Sequence, residues 1–150
     1  MNIRIRRATQ ADQSTIQHMV RQAGLNPFNV RWSNFAVAED DGQVIGVGQL
    51  RPHSDGSREL ASLVVAPDSR RRGIGGQLVR ALLADQRPPI FLFCEHDLEG
   101  YYARFGFQLV LRSALPKPLA RMHRLANMLA RVGSVLSRRE MRIITMRWDG

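Results

Sequence analysis

Short stretches of alternating apolar and polar residues are interrupted along this chain by segments of helical spacing. Asn2 to Arg7 alternates apolar and charged residues and predicts a strand. Thr9 is a good helix N-cap, and Ile16, Met19, Val20 and Ala23 recur at helical spacing until Gly24 ends the segment. Asn26-Pro27-Phe28 reads as loop. Phe35 to Glu39 and Val44 to Leu50 predict two short strands joined by the hairpin signal Asp40-Asp41-Gly42. Pro52 to Gly56 is a second turn, and Arg58 to Val65 a third strand of the same meander. Ile74, Leu78, Ala81 and Leu82 give a second helix its apolar face, which Pro88-Pro89 is expected to stop. Ile90 to Cys94 is a continuous apolar run, the pattern of a strand buried on both faces. A short helix from Leu98 to Arg104, a strand from Phe107 to Leu111 and a last strand from Met141 to Trp148 complete the order β-α-β-β-β-α-β-α-β-(insert)-β. That order, without internal repeats, predicts a mixed α/β fold around one sheet.

Composition narrows the class. One hundred and fifty residues make one domain, 1–150, with enough chain for a full core. No apolar run reaches transmembrane length, and the N-terminus lacks a signal-peptide core, so cytoplasm is the expected location. The single cysteine, Cys94, excludes an internal disulfide and offers no metal cluster. Its neighbours Phe91, Leu92 and Phe93 predict a buried, inert thiol rather than an acyl-carrying nucleophile.

The net charge of +9 is unevenly placed. Between Ser113 and Glu140 stand Lys117, Arg121, Arg124, Arg131, Arg138 and Arg139, with Glu140 the one acid among them. Much of the remaining excess sits at Arg70 to Arg72 and in the first strand, so the basicity belongs to particular surfaces. In the insert 113–140, Leu119, Met122, Leu125, Ala126, Leu129, Val132 and Leu136 fall on one helical face, and Arg121, Arg124, Arg131 and Arg138 on another. A helix packed on the sheet with a solvated basic side is the first expectation. An acceptor-binding wall, an anionic-partner site and a membrane-surface role for 117–139 are the alternatives, the last the least favoured.

The densest chemistry lies in Val65-Ala66-Pro67-Asp68-Ser69-Arg70-Arg71-Arg72-Gly73-Ile74-Gly75-Gly76-Gln77-Leu78. A strand end, a turn, three arginines and a glycine-spaced helix start come together there. Unpaired backbone N–H groups and the positive end of a helix dipole suit a phosphate. Glycines at 73, 75 and 76 let an anion approach the backbone, and the arginines add charged donors. The Walker loop is excluded because Gly75-Gly76-Gln77 stands where Gly-Lys-Ser/Thr is required, and the dinucleotide fingerprint lacks its third glycine.

The segment instead matches Arg-x-x-Gly-x-Gly, and Tyr102-Ala103-Arg104-Phe105-Gly106-Phe107 follows it as Tyr-x-x-x-Gly-Phe. In that order, behind a strand, the two signatures resemble the GCN5-related N-acetyltransferase family. The Thr9-x-x-Asp12 helix start, the strand Phe35-Ala36-Val37-Ala38-Glu39 and the Asp41-Gly42 turn are also similar to it. The resemblance covers roughly 3–112 and 141–148, with nearly all its specificity in 58–107. It implies a mixed, mostly antiparallel sheet of about seven strands flanked by helices, with a helical insert before the last strand. It implies acetyl-CoA as cosubstrate, no metal, and direct transfer of the acetyl group to a primary amine. The cofactor-binding residues it implies are Leu63, Val64 and Val65, whose backbone would pair with pantetheine, and Arg70, Arg71, Arg72, Gly73, Ile74, Gly75 and Gly76 around the pyrophosphate. The family splays the strands corresponding to 58–65 and 90–95, and a cofactor that satisfies the exposed backbone groups offsets the cost.

Two side chains carry the implied chemistry. An amine with a reference pKa of roughly 10.4 arrives protonated, so a base must take its proton. Glu59, fourteen residues before Gly73, matches the family's general-base glutamate by position. Glu95, His96 and Asp97 at the end of the next strand are the rival set. Tyr102 matches the family's general acid for the departing thiolate. A thiol of pKa near 8.5 leaves tolerably well unaided, so Tyr102 is expected mainly to position the sulfur. A strand N–H near Leu63 to Val65 would polarise the thioester carbonyl.

Two features depart from the family: the compact run Cys94 to Tyr101 lacks the asparagine common after that strand, and the insert 113–140 stands between the last two strands. A basic wall disfavours polyamines, which places a protein N-terminus or lysine first among acceptors and a small-molecule amine second. A non-catalytic module binding coenzyme A or nucleic acid is the competing class, but no specific nucleic-acid motif is present. The chain is expected to act as a monomer or homodimer.

Overall fold

The computed structural model describes residues 2–137 and 141–150, with side chains in the insert described up to Gly133. Its strands are β1 (Ile3–Arg7), β2 (Phe35–Asp40), β3 (Gln43–Pro52), β4 (Arg58–Val65), β5 (Ile90–Glu95), β6 (Phe107–Leu109) and β7 (Ile143–Trp148). The helices are α1 (Gln13–Gln22), α2 (Ile74–Leu83), α3 (Glu99–Ala103) and α4 (Lys117–Ser137). The seven strands form one sheet in the order β1-β2-β3-β4-β5-β7-β6. Contacts divide the chain into two compact units, Met1–Arg51 with Leu60–Gln86, and Pro52–Glu59 with Arg87–Gly150.

In the first unit, β1 and β2 pair antiparallel with Ile5 opposite Ala38, and β2 pairs antiparallel with β3 with Val37 opposite Val47. Ile16 and Val20 of α1 are fully buried against Phe35, Val37 and Val47, as the helical spacing of the sequence required. Thr9 first opens a single 3-10 turn, Gln10–Asp12, before α1 begins. The Asp12 carboxylate accepts from the Thr9 N–H at 2.7 Å and from Arg6 at 2.8 Å, tying β1 to the start of the helix. On α2, Ile74, Leu78 and Leu82 are buried. Gly46 and Gly48 of β3 make that seat possible: a Cβ at Gly46 would stand 3.1 Å from Ile74 and Leu78, and one at Gly48 3.0 Å from Leu82. The helix closes at Leu83 rather than at Pro88-Pro89, because Asp85 turns to a left-handed φ of 59° ahead of the prolines.

In the second unit, β7 pairs antiparallel with both β5 and β6. Leu119 of α4 is fully buried with Phe91 and Leu115. Strand β6 is shorter than its apolar pattern suggests, ending at Leu109 and leaving Leu111 79% exposed. Asn127 of α4 fixes the start of β7: its Oδ1 accepts from the Ile143 N–H at 3.2 Å and its Nδ2 donates to the Ile143 carbonyl at 3.1 Å.

Helix α4 forms where the insert was expected to be helical, but its long apolar face is only half used. Leu119 and Ala130 are buried, whereas Leu125, Met128, Leu129 and Val132 stand more than half exposed. The side of the helix that meets β7 carries His123 and Asn127, both bonded to the Ile143 carbonyl, so much of the apolar face turns away from the sheet. Arg121, Arg124 and Arg131 are exposed on the outer side as well. The side chain of Leu136, and Arg138, Arg139 and Glu140, lie outside the described residues. No described helix is long and apolar enough to cross a membrane.

Candidate active site

The loop expected to bind phosphate lies in the first unit. After β4, a 3-10 turn at Pro67–Ser69 leads into the arginine triplet, and Gly73 caps α2 at φ 75°. Arg71 shares the left-handed region at φ 63°. Two left-handed residues flanking Arg72 curl the backbone ahead of the helix, a geometry that gathers amide donors into an anion-binding concavity. Nothing stands within 4 Å of the place a Cβ would take at Gly73, so that residue is needed for its φ, while the open space admits a ligand.

The three arginines divide their tasks. Arg70 is exposed and gives its Nε–H to the Val65 carbonyl at 3.2 Å, holding the loop against the end of β4. Arg71 is exposed. Arg72 is half-buried, with Nη2 donating to Asp40 Oδ2 at 3.1 Å, while its Nε is buried with no protein partner. A buried guanidinium N–H without an acceptor is costly and fits a site where an anion completes the bond. Ile74 is wholly buried and anchors the helix start, leaving Gly75 and Gly76 half-buried on its first turn.

Upstream, Leu63, Val64 and Val65 are all half-buried on β4. Just ahead of them Ser62 takes a left-handed φ of 54°, a strained conformation inside a strand. Gln49 of β3 holds it there, donating from Nε2 to Ser62 Oγ at 2.9 Å. The alternating apolar pattern gave no sign of this kink.

The side chains expected to move protons, Glu59 and Tyr102, lie in the second unit. Glu59 is 4% exposed, and His53 Nε2 lies 2.9 Å from its Oε2. Sequence reasoning did not single out His53. Its one signal was the turn Pro52 to Gly56, which folds the two residues back on each other. Tyr102, on α3, is buried with its ring edge-on to Tyr101 and Phe107. Burial, with Cys94 nearby, raises the phenol above its ordinary range, so it is a proton-bearing donor throughout the neutral region. Cys94 is itself buried and pushed up to about 12, first by burial and then by Glu99, Asp97 and Glu95, which makes it a poor nucleophile. The rival bases have the opposite setting. His96 and Asp97 are about half exposed, 3.9 Å apart, beyond the end of β5. Among the described residues no group of three or more His, Cys, Asp or Glu is arranged to hold a metal.

Residues 31–109, more than half of the chain, match the acetyltransferase (GNAT) domain family. A mycothiol acetyltransferase of Mycolicibacterium vanbaalenii is 43% identical over 63 residues, which are 42% of this chain and 21% of that protein. A Mycobacterium tuberculosis protein named as a probable N-acetyltransferase is 34% identical over 96 residues, 59% of this chain and 54% of its own. The chain thus spans about a fifth of the first relative and about half of the second. Among solved structures, a Mycobacterium tuberculosis protein in complex with CoA superposes with a TM-score of 0.72 at 22% identity, covering 98% of this chain and 99% of that one. N-acetylglutamate synthase of Neisseria gonorrhoeae, in complex with coenzyme A and N-acetyl-glutamate, gives 0.69 at 21% identity over 98% of this chain and 35% of its own. These likenesses establish the fold.

Proposed function

The chain belongs to the GCN5-related N-acetyltransferase family, and we propose that it transfers the acetyl group of acetyl-CoA to a primary amine by direct attack. One observation carries the reading: the left-handed pair Arg71 and Gly73 opening α2, with the buried, unpartnered Arg72 Nε between them. Those residues fit a pyrophosphate. In this reading the amides of Arg71 to Gly76 and the Arg70 to Arg72 cluster bind it, and the backbone of Leu63 to Val65 pairs with the pantetheine arm. Bound acetyl-CoA supplies the acetyl group as an activated thioester.

The remaining steps fall to this chain's own side chains. Glu59 accepts the proton of the arriving ammonium, directly or through one water, freeing the nitrogen lone pair to attack. A strand N–H near Leu63 to Val65 stabilises charge on the thioester oxygen. As the C–N bond forms the C–S bond breaks; Tyr102, kept protonated by burial, donates a hydrogen bond to the departing thiolate, which takes up the proton the new amide nitrogen sheds.

For the acceptor, two facts favour a small-molecule amine over a protein N-terminus or lysine. The relatives include mycothiol acetyltransferases, and a structural neighbour is an N-acetylglutamate synthase. A basic wall at the acceptor would favour a peptide, yet Arg121, Arg124 and Arg131 occupy the outer, exposed side of α4. A panel of amino acids, amino sugars, polyamines and peptides, assayed for thiol release from acetyl-CoA and for acetylated product by mass spectrometry, tests the reading. Turnover with small amines supports it. Turnover with peptides alone would reverse the acceptor assignment, and binding of acetyl-CoA without turnover on any amine would make the chain a non-catalytic relative.

A further inference from the structure

The turn between β3 and β4 is tied more firmly than a surface hairpin needs. The His53 N–H donates to the Ser57 carbonyl at 2.9 Å, and the Gly56 N–H returns to the His53 carbonyl at 3.0 Å. Asp55 Oδ1 accepts from the Ser57 N–H at 3.0 Å and from its hydroxyl at 2.6 Å, and Gly56 supplies the φ of 84° that closes the turn. The result is a histidine with little freedom, its side chain 10% exposed, set 2.9 Å from a carboxylate that is 6% exposed.

Deepening the reading of Glu59 as the base, and resting on it, we propose that His53 is the positioning residue for that carboxylate. A base works only when its lone pair meets the donor N–H within a narrow range of distance and angle. A glutamate side chain has three torsions, and burial alone does not choose among them. The His53 Nε2–H, donating to Oε2, fixes the plane of the carboxylate and the direction in which it receives a proton. The imidazole acts through Glu59 and needs no contact with the acceptor or with acetyl-CoA. The turn bonds at Asp55, Ser57 and Gly56 hold the imidazole in turn. The layering is a proton-accepting carboxylate, the ring that aims it, and the hairpin that aims the ring.

The separating experiment replaces the donor without removing the shape. H53Q keeps an N–H donor at similar reach, whereas H53M has a comparable chain with no donor. Both are made in the wild type and in E59Q, with kcat, the KM for acetyl-CoA and the melting temperature measured for each. H53M is expected to lower kcat by about 10- to 100-fold, the usual weight of a hydrogen bond to a charged group, with the KM for acetyl-CoA nearly unchanged. H53Q should recover most of that loss. In E59Q, itself slower by about 10²-fold or more, H53M should cost nothing further, since a residue acting through a carboxylate has no role once it is gone. Equal losses from H53M in both backgrounds, or an unchanged kcat in H53M, would overturn the inference and leave the base standing. Wild-type kcat in E59Q would instead remove the base itself and this inference with it.

Discussion

Arg72, in the loop ahead of α2, donates from Nη2 to Asp40 Oδ2 at the end of β2, across 3.1 Å. The bond joins the proposed phosphate loop to the sheet beneath it. It also holds the Asp40 carboxyl below its usual range, with the Asn2 N–H assisting. With one guanidinium nitrogen fixed on Asp40, the unpartnered Nε is held in a constant direction. D40N should therefore weaken acetyl-CoA binding by about two- to fivefold, the scale of a partly exposed ion pair, with kcat unchanged. Calorimetric titration checks it, and unaltered affinity would show that the loop holds its shape without this anchor.

Tyr102 offers a second test. Its phenol is buried and stays protonated through neutral pH, so the contribution proposed for it is a donated hydrogen bond. Y102F should lower kcat by roughly tenfold and leave acetyl-CoA affinity near that of the wild type. A loss beyond about a thousandfold would instead mark protonation of the leaving thiolate as a demanding step.

Acid stability follows from the Arg6 and Asp12 pair. The Arg6 hydrogen bond holds the Asp12 carboxyl down at about 2 in the folded chain, with the Thr9 N–H and hydroxyl adding to it. The folded value lies below the ordinary one of about 3.9, so the stabilisation is complete above that value and is lost as pH falls toward the folded one. The difference in melting temperature between wild type and D12N should be widest above about pH 4.5 and close by about pH 2. A gap that persists unchanged at the acid end would assign the effect of D12N to packing.

Helix α4 separates what a helical pattern reveals from what it conceals. L119A removes a fully buried side chain and should cost roughly 2–5 kcal/mol, whereas L129S changes a residue 60% exposed and should stay within about 0.5 kcal/mol. Denaturant unfolding of the whole chain measures both, and equal costs would mean that the outer face is covered in solution.

The same contrast explains how far the sequence could be read. Alternation placed the strands, and the turn into α2 was legible because its signals are local: Gly73 takes its own left-handed φ, and the arginines stand beside it. Apolar spacing on α4 marks which residues share a face, but the partner surface decides how much of that face is covered, and Leu125 and Leu129 were left outside it. His53 gave no sign in the sequence because its proposed role rests on a distance to Glu59 fixed by turn geometry rather than on a spacing along the chain. The left-handed Ser62 was missed for a related reason: its stabilising contact, Gln49, comes from the neighbouring strand.

Titrating acetyl-CoA into the purified chain by calorimetry, with melting temperature followed in parallel, decides whether the loop ahead of α2 serves a coenzyme. One saturable site, and a melting temperature that climbs with ligand concentration as preferential binding to the folded state requires, are the expected results. Absence of both heat and thermal shift at millimolar acetyl-CoA would mean that this chain does not use the coenzyme.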